Sequence, residues 1–256
     1  MNLKELAERL KTVSDTPLLD ARLLMKYHPE RIDDVLQRRL NHEPISKIIG
    51  SRGFWKSDFV VNKDVLDPRS DSEKVIEAVL QYYPDQSQPY RILDIGTGSG
   101  CLLFSLLDEY QMAKGIGVDC SAKALAVAEQ NRHSRSAELV KRDFMNPDWG
   151  KDLGQFDIVV SNPPYIPTKD IETLSPDVRN YDPIMALDGG VDGLNAYRAL
   201  ASGVGSLLKP GSYLFLEIGI GQADDVRSLF LNVFRHIDTI RDFGGIERVL
   251  VFQKPV

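Results

Sequence analysis

Apolar positions recur at helical spacing through the first fifty residues, then give way to short apolar runs separated by proline- and glycine-bearing turns. Leu3, Leu6, Leu10 and Val13 fall on one face of a first helix. Thr16-Pro17 suits the N-cap and first turn of a second, which carries Leu18, Leu19, Leu23 and Leu24, and Ile32, Val35, Leu36 and Leu40 mark a third. Segments this short are unstable alone and must pack together or against the rest of the chain. The cations Lys26, Arg38 and Arg39 read as a solvated helix face. From Gly53 to Leu66 the pattern changes. Phe54 to Val61 and Val65-Leu66, with Asn62-Lys63-Asp64 between them, predict a hairpin. Ser70 or Asp71 then caps a helix bearing Val75, Ile76, Val79 and Leu80, and a polar stretch from Tyr83 to Pro89 follows it.

Beyond Tyr90, strands and helices alternate. Strands are expected at 91–94, 115–119, 138–141, 156–161, 213–218, 237–240 and 249–252, with helices at 101–110, 122–131, 194–208 and 224–234. Such alternation implies an α/β fold, a mostly parallel sheet covered by helices on both faces. Only the short Asp242 to Glu247 connection separates the last two strands, so they form an antiparallel pair and the sheet is mixed. Three parts follow: a helical N-terminal domain over 1–50, a β-hairpin linker over 51–68 and an α/β domain over 69–256.

Composition narrows the function. The 256 residues are 43% hydrophobic and 27% charged, ordinary values for a globular protein. A net charge of −6 argues against a broad, sequence-independent grip on nucleic acid, which needs a basic face. Cys101 and Cys120 sit inside regular segments without metal-ligand spacing, so neither a disulfide framework nor a metal site is expected. The charged, helix-like start has no signal-peptide core, and no apolar run approaches the ~20 residues that span a bilayer. A cytoplasmic protein is the expectation.

Two loops carry the candidate chemistry. Asp94-Ile95-Gly96-Thr97-Gly98-Ser99-Gly100 joins the first strand to its helix, where glycines let a ligand approach the backbone. Asp119 ends the next strand, placed to accept hydrogen bonds from ribose hydroxyls. The spacing is G-x-G-x-G with a leading carboxylate, whereas the dinucleotide fingerprint is G-x-G-x-x-G. A carboxylate repels a diphosphate and attracts an ammonium group, which favours S-adenosylmethionine over NAD, the alternative. Asp143 is placed to accept from the adenine amino group, and Phe144 either packs on the ring or belongs to the core. The second loop, Asn162-Pro163-Pro164-Tyr165, follows the apolar run 156–161. Proline has no N–H and a fixed φ, so regular strand bonding stops there. The Asn162 carboxamide oxygen and the Pro163 carbonyl make two acceptors suited to a planar –NH2 group, with the Tyr165 ring beside them. None of the four histidines has a motif context, and no strong base is evident.

In this order and spacing, Asp94-x-Gly96-x-Gly98-x-Gly100, Asp119 and Asn162-Pro163-Pro164-Tyr165 resemble class I, Rossmann-like methyltransferases that modify planar nitrogens. Further segments resemble the peptide-chain release factor glutamine methyltransferases, the HemK/PrmC group. They are Asp20 to Leu24, Glu43-Pro44-Ile45 to Gly50, Phe54-Trp55 with Phe59, Ala186 to Leu194, and Leu216 to Gly219. The family's Ile-Pro-Arg-Pro-x-Thr-Glu-like segment reads Asp67-Pro68-Arg69-Ser70-Asp71-Ser72-Glu73 here, and the helical part is short for the family. The resemblance implies a seven-stranded sheet and methylation of the glutamine in the Gly-Gly-Gln loop of release factors. Asn162, Pro163 and Tyr165 would be catalytic, with Pro164, Phe54 and Arg69 as further substrate contacts. The cofactor contacts would be Asp94, Gly96, Thr97, Gly98, Ser99, Gly100, Asp119, Asp143, Phe144 and Asn162. Alternatives are an enzyme acting on a ribosomal-protein glutamine or a nucleic-acid amino group, and a noncatalytic S-adenosylmethionine-binding module.

Overall fold

The computed structural model describes all 256 residues. Four helices open the chain: α1 (Leu3–Leu10), α2 (Pro17–Tyr27), α3 (Ile32–Leu40) and α4 (Ile45–Ile49). Asn2 and Glu5 cap α1 reciprocally, each side chain accepting from the other's backbone N–H at 3.0 Å. Leu6, Leu10, Ala21, Leu24, Val35, Leu36 and Ile48 give these helices a core of their own. The expected face of α2 is displaced: it buries Asp20, Ala21 and Leu24 and leaves Leu18 and Leu19 exposed. Arg39 is not on a solvated face either. It is buried, donating from Nε to Asp20 Oδ2 at 3.1 Å and from Nη2 to the Val13 carbonyl at 2.6 Å. Asp20 thus turns inward to meet a cation, which helical periodicity alone does not show.

The hairpin pairs β1 (Ser51–Phe54) with β2 (Ser57–Val60) and turns at Trp55-Lys56, not at 62–64. Trp55 has φ +54°, a left-handed conformation uncommon for an aromatic residue. Tertiary bonds hold it: its N–H donates to Glu73 Oε1 at 2.8 Å and its indole N–H to Glu109 Oε1 at 2.6 Å. The helical and α/β parts meet through Lys47, whose ammonium lies 3.0 Å from Asp67 and 3.1 Å from Asp182 and also donates to the Asn62 carbonyl at 2.7 Å. With only 3% of that side chain exposed, Lys47→Ala leaves Asp67 without a cation in the interior and Asp182 with Arg69 alone. Its expected cost is about 3–5 kcal/mol, read by urea unfolding; an unchanged midpoint would refute a stabilising role.

The seven-stranded sheet has the order β5-β4-β3-β6-β7-β9-β8. Its strands are β3 (Arg91–Ile95), β4 (Lys114–Asp119), β5 (Ala137–Lys141), β6 (Phe156–Ser161), β7 (Leu208–Glu217), β8 (Arg235–Arg241) and β9 (Glu247–Gln253). β3 to β7 run parallel, and β9 is antiparallel to both β7 and β8. The helices are α5 (Glu73–Tyr82), α6 (Cys101–Glu109), α7 (Ala122–Arg132), α8 (Pro176–Tyr181), α9 (Asn195–Gly203) and α10 (Ala223–Phe230). Alternate strand residues enter two cores. Leu93, Ile95, Leu214 and Leu216 join α9 and α10 on one face, and Ile92 and Phe215 join α5 and α6 on the other.

Neither Ser70 nor Asp71 caps α5: the N-cap is Ser72, and its side chain makes no capping bond. Asp71 pairs with Arg248 at 2.9 Å, and the Ser72 hydroxyl is taken up by Asn162. Strand order reverses between β3 and β6, and ligands bind beyond strand ends at such a reversal. Ile95 stands in register with Ser161, whose hydroxyl donates to the Ile95 carbonyl at 2.7 Å. The glycine loop and Asn162, 62 positions apart from Gly100, therefore leave the sheet side by side.

Candidate active site

Two acidic residues stitch the glycine loop. Gly96 and Thr97 N–H groups both donate to the Val118 carbonyl at 2.9 Å, and the Gly98 N–H donates to Asp119 Oδ2 at 2.9 Å. The Thr97 hydroxyl donates to Asp94 Oδ2 at 2.6 Å. Gly100, at φ +82°, starts α6; a Cβ there would sit 2.2 Å from the Phe104 ring, so no other residue fits without moving it. Ser99 is buried, its carbonyl accepting from Asn131 Nδ2 at 2.9 Å. Thr97, Ser99 and Gly100 therefore shape the loop from beneath, while Gly96 and Gly98 face a cavity of about 650 Å³.

Asp94 lies under the loop, fully buried, and its Oδ1 has no hydrogen-bond partner. Burial pushes its carboxyl up to about 7, against the pull of the Thr97 hydroxyl and the Leu103 N–H, with Asp119 adding to the rise. Asp119 is also raised, chiefly by burial, and its Oδ1 accepts from the Ser121 N–H at 2.8 Å. Asp119 lines the cavity together with Phe144, Met145, Ile184, Met185 and Asn195, whereas Asp94 lies outside its wall. Phe144 is only half-buried and lines the space, although it also touches the sheet core. The wall from Pro183 to Ala196 lies outside the residues expected at the site; its signal is the glycine-rich run 186–194, which folds back so that the Ile166 N–H donates to the Leu187 carbonyl at 2.9 Å. A larger hollow of about 860 Å³ beside Trp149 and Gly203 shares only Phe144 and Met145 with this cavity and holds none of the strand-end residues.

The chain's own groups fit S-adenosylmethionine. The glycine edge leaves room for a ligand, the orphaned Asp94 oxygen supplies negative charge beneath it, Asp119 offers acceptors, and Phe144 offers a ring face. Asp143 also lines the cavity, but both its oxygens close a local turn, accepting from the Met145 N–H at 2.9 Å and Asn146 Nδ2 at 3.0 Å.

Asn162 and Pro164 line the same cavity. Asn162 Nδ2 donates to Ser72 Oγ at 3.1 Å, while its Oδ1 and the Pro163 carbonyl receive no hydrogen bond from the chain. Two acceptors are thus left open where a strand has stopped pairing. Tyr165 departs from the expected placement: its ring is half-buried against Gly219 rather than on the cavity wall, and its carbonyl accepts from Gln222 Nε2 at 3.0 Å. Burial, then the Glu217 charge, pushes its phenol up to about 12, so it is neutral and no base. Phe54 is not at the cavity at all. It is buried edge-on to Phe59, ring centres 6.2 Å apart, because the hairpin needs its own apolar contact with α5 and α6. Arg69 also lies outside the cavity, donating to Asp182 Oδ2 at 2.6 Å across a groove between the helical and α/β parts.

The family model described as "Methyltransferase small domain" matches residues 72–175. A release factor glutamine methyltransferase of Caulobacter vibrioides is 40% identical, over 95% of this chain and 92% of its own. One from Rhodospirillum rubrum is 42% identical, over 93% of this chain and 73% of its own. Among solved structures, a Pyrococcus furiosus methyltransferase aligns with a TM-score of 0.57 at 17% identity, over 88% of this chain and 100% of that one. A T. thermophilus 16S rRNA N2 G1207 methyltransferase, solved with AdoMet and guanosine, aligns at 0.55 and 18% identity, over 80% of this chain and 49% of that one. At these identities the two structures share the fold.

Proposed function

The chain belongs to the release factor glutamine methyltransferase family, and from that premise we propose that it methylates the side-chain amide nitrogen of the glutamine in the Gly-Gly-Gln motif of peptide chain release factors. The observation that carries this reading is the open acceptor Asn162 Oδ1 at the wall of the cavity floored by Gly96 and Gly98, followed directly in the chain by the Pro163 carbonyl, which also receives no hydrogen bond. S-adenosylmethionine supplies an electrophilic methyl group on a sulfonium.

A carboxamide nitrogen is a weak nucleophile because its lone pair is shared with the carbonyl. The two acceptors bind its two N–H groups and leave the remaining direction, perpendicular to the amide plane, free for the methyl carbon. Orientation therefore supplies much of the rate, and the acceptors stabilise the positive charge that builds on the nitrogen. With the cofactor bound, Asp94 would supply negative charge to its cationic groups and Asp119 would accept from its ribose hydroxyls. No side chain in the cavity is a strong base, so the departing N–H proton starts against a carbonyl oxygen and leaves to solvent.

The helical domain and the groove beside Arg69 form the surface on which the release factor docks. A net charge of −6 disfavours the nucleic-acid alternative, whose binding would be strongly salt-dependent. No helix is long and apolar enough to cross a membrane; action in the cytoplasm follows from the proposed substrate, a factor of translation. The deciding assay incubates the protein with labelled S-adenosylmethionine and, separately, purified release factor, ribosomal protein and nucleic acid, followed by peptide mapping. Label is expected on the Gly-Gly-Gln glutamine alone. Label confined to nucleic acid, or on another protein site, would overturn the assignment.

A further inference from the structure

Resting on the reading above, we propose that Glu217 is a positioning residue: with Ser72 it locks the Asn162 carboxamide so that the oxygen, not the nitrogen, faces the substrate amide. The two ends of a carboxamide have nearly the same shape but opposite hydrogen-bonding character. Flipped by a half-turn, Asn162 would present N–H groups to the N–H groups of a glutamine side chain and bind nothing. Something on its inner side must choose the orientation.

The groups on that side are acceptors. Asn162 Nδ2 reaches Ser72 Oγ at 3.1 Å. Behind them lies the Glu217 carboxylate at the end of β7, 2% exposed and one residue past Leu216, which stands in register with Ser161, so that Glu217 ends its strand beside Asn162; the Ser72 and Asn162 side chains favour its charged form. Its Oε2 has no hydrogen-bond partner of its own. The nearby cation, Arg248, is committed elsewhere, 2.9 Å from Asp71 and 2.9 Å from Asp242, and Glu217 forms no ion pair. The backbone beneath it is fixed, since the Glu217 carbonyl accepts from the Tyr197 hydroxyl at 2.9 Å and Leu216 stands in register with Ser161. An unpaired carboxylate is an expensive group to bury. Here it supplies acceptors to the amide end that must not turn outward. Burial also raises its carboxyl to about 7, and the neighbouring Ser72 and Asn162 side chains oppose that rise.

The test reverses the polarity of the chain of bonds. Glu217→Gln keeps size and lets Asn162 settle in either orientation; Asn162→Asp removes the inward donor and sets two carboxylates together. In the double variant the carboxamide introduced at position 217 donates to the inner oxygen of the carboxylate introduced at position 162, and the outer oxygen again faces the substrate. At saturating S-adenosylmethionine and release factor, Glu217→Gln is expected to slow single-turnover transfer about 10²-fold with cofactor affinity unchanged, since misorientation alone costs that much. Asn162→Asp is expected to be similarly slow, and the double variant to recover about tenfold over it, because coupled residues are non-additive. Ser72→Ala, which removes the intermediate acceptor, should slow transfer with its melting temperature intact. Wild-type rates in Glu217→Gln or Ser72→Ala, loss of cofactor binding in parallel with rate, or a double variant no faster than Asn162→Asp would each overturn the inference. The wild-type protein in the same assay separates the two readings: if it fails to label the release factor glutamine, the substrate is wrong, and if it labels while the variants keep pace, only the role of Glu217 is.

Discussion

Asn162→Ala is expected to slow methyl transfer about 10²–10³-fold, the loss measured when one preorganised polar group is removed from the transition state of an acyl-transfer enzyme. The side chain offers one free acceptor to the cavity and spends its donor on Ser72 at 3.1 Å. Truncation removes the free acceptor and leaves the Pro163 carbonyl to hold the substrate amide alone, which sets its position but not its rotation. Asn162 bears on the loop from the side, and none of the loop's internal bonds runs through it. S-adenosylmethionine affinity should therefore change less than about threefold by calorimetry, well under the tenfold that 1.4 kcal/mol represents. Transfer at more than a tenth of the wild-type rate would remove Asn162 from the mechanism.

Asp94→Asn should separate binding from stability in opposite directions. The carboxyl titrates at about 7 in the folded chain, against 3.8 for an ordinary aspartate, so the folded state holds its proton more tightly than the unfolded state. Below the ordinary value both states are protonated and nothing is gained or lost. As pH rises toward 7 the unfolded chain releases the proton first, which favours unfolding, and above 7 the full cost of the buried charge is present. Asparagine carries no such charge and still accepts from the Thr97 hydroxyl. The variant should melt above the wild type at pH 8, and the difference should shrink toward pH 4. Binding moves the other way: removal of the negative charge buried beneath the loop, set at the roughly 1.5–3 kcal/mol of a charge-assisted interaction, weakens S-adenosylmethionine binding roughly 10–100-fold at pH 8. In the wild type, affinity should rise with pH through 7, because the cationic ligand selects the ionised carboxyl. Calorimetry and thermal melts at both pH values check all three; equal affinities would show that Asp94 serves only the loop.

What was readable in the chain and what was not divide along physical lines. Strand and helix alternation, the antiparallel close of the sheet and the glycine loop are local signals, and each appears near its expected place, although α9 ends five residues earlier and β7 begins five residues earlier than expected. The errors cluster where tertiary contacts overrule local preference. Phe54 is expected as a substrate contact but packs in the hairpin core, and Arg39 has the look of a solvated cation but is drawn inward by Asp20. The hairpin turns at Trp55 because Glu73 and Glu109 hold that residue from other elements.

By itself, the order of residues determined the chemistry: a strand ended by Asn162-Pro163 must leave acceptors unpaired, and three alternate glycines after Asp94 must form an open loop. Spacing along the chain is enough for such conclusions because backbone bonding and steric freedom are settled within a few residues. Only the tertiary structure decided that Ile95 pairs with Ser161, which sets the two loops side by side, and that the buried Glu217 and Ser72 lie next to Asn162. Strand order and the burial of a carboxylate depend on residues far apart in the chain, so no local pattern reports them.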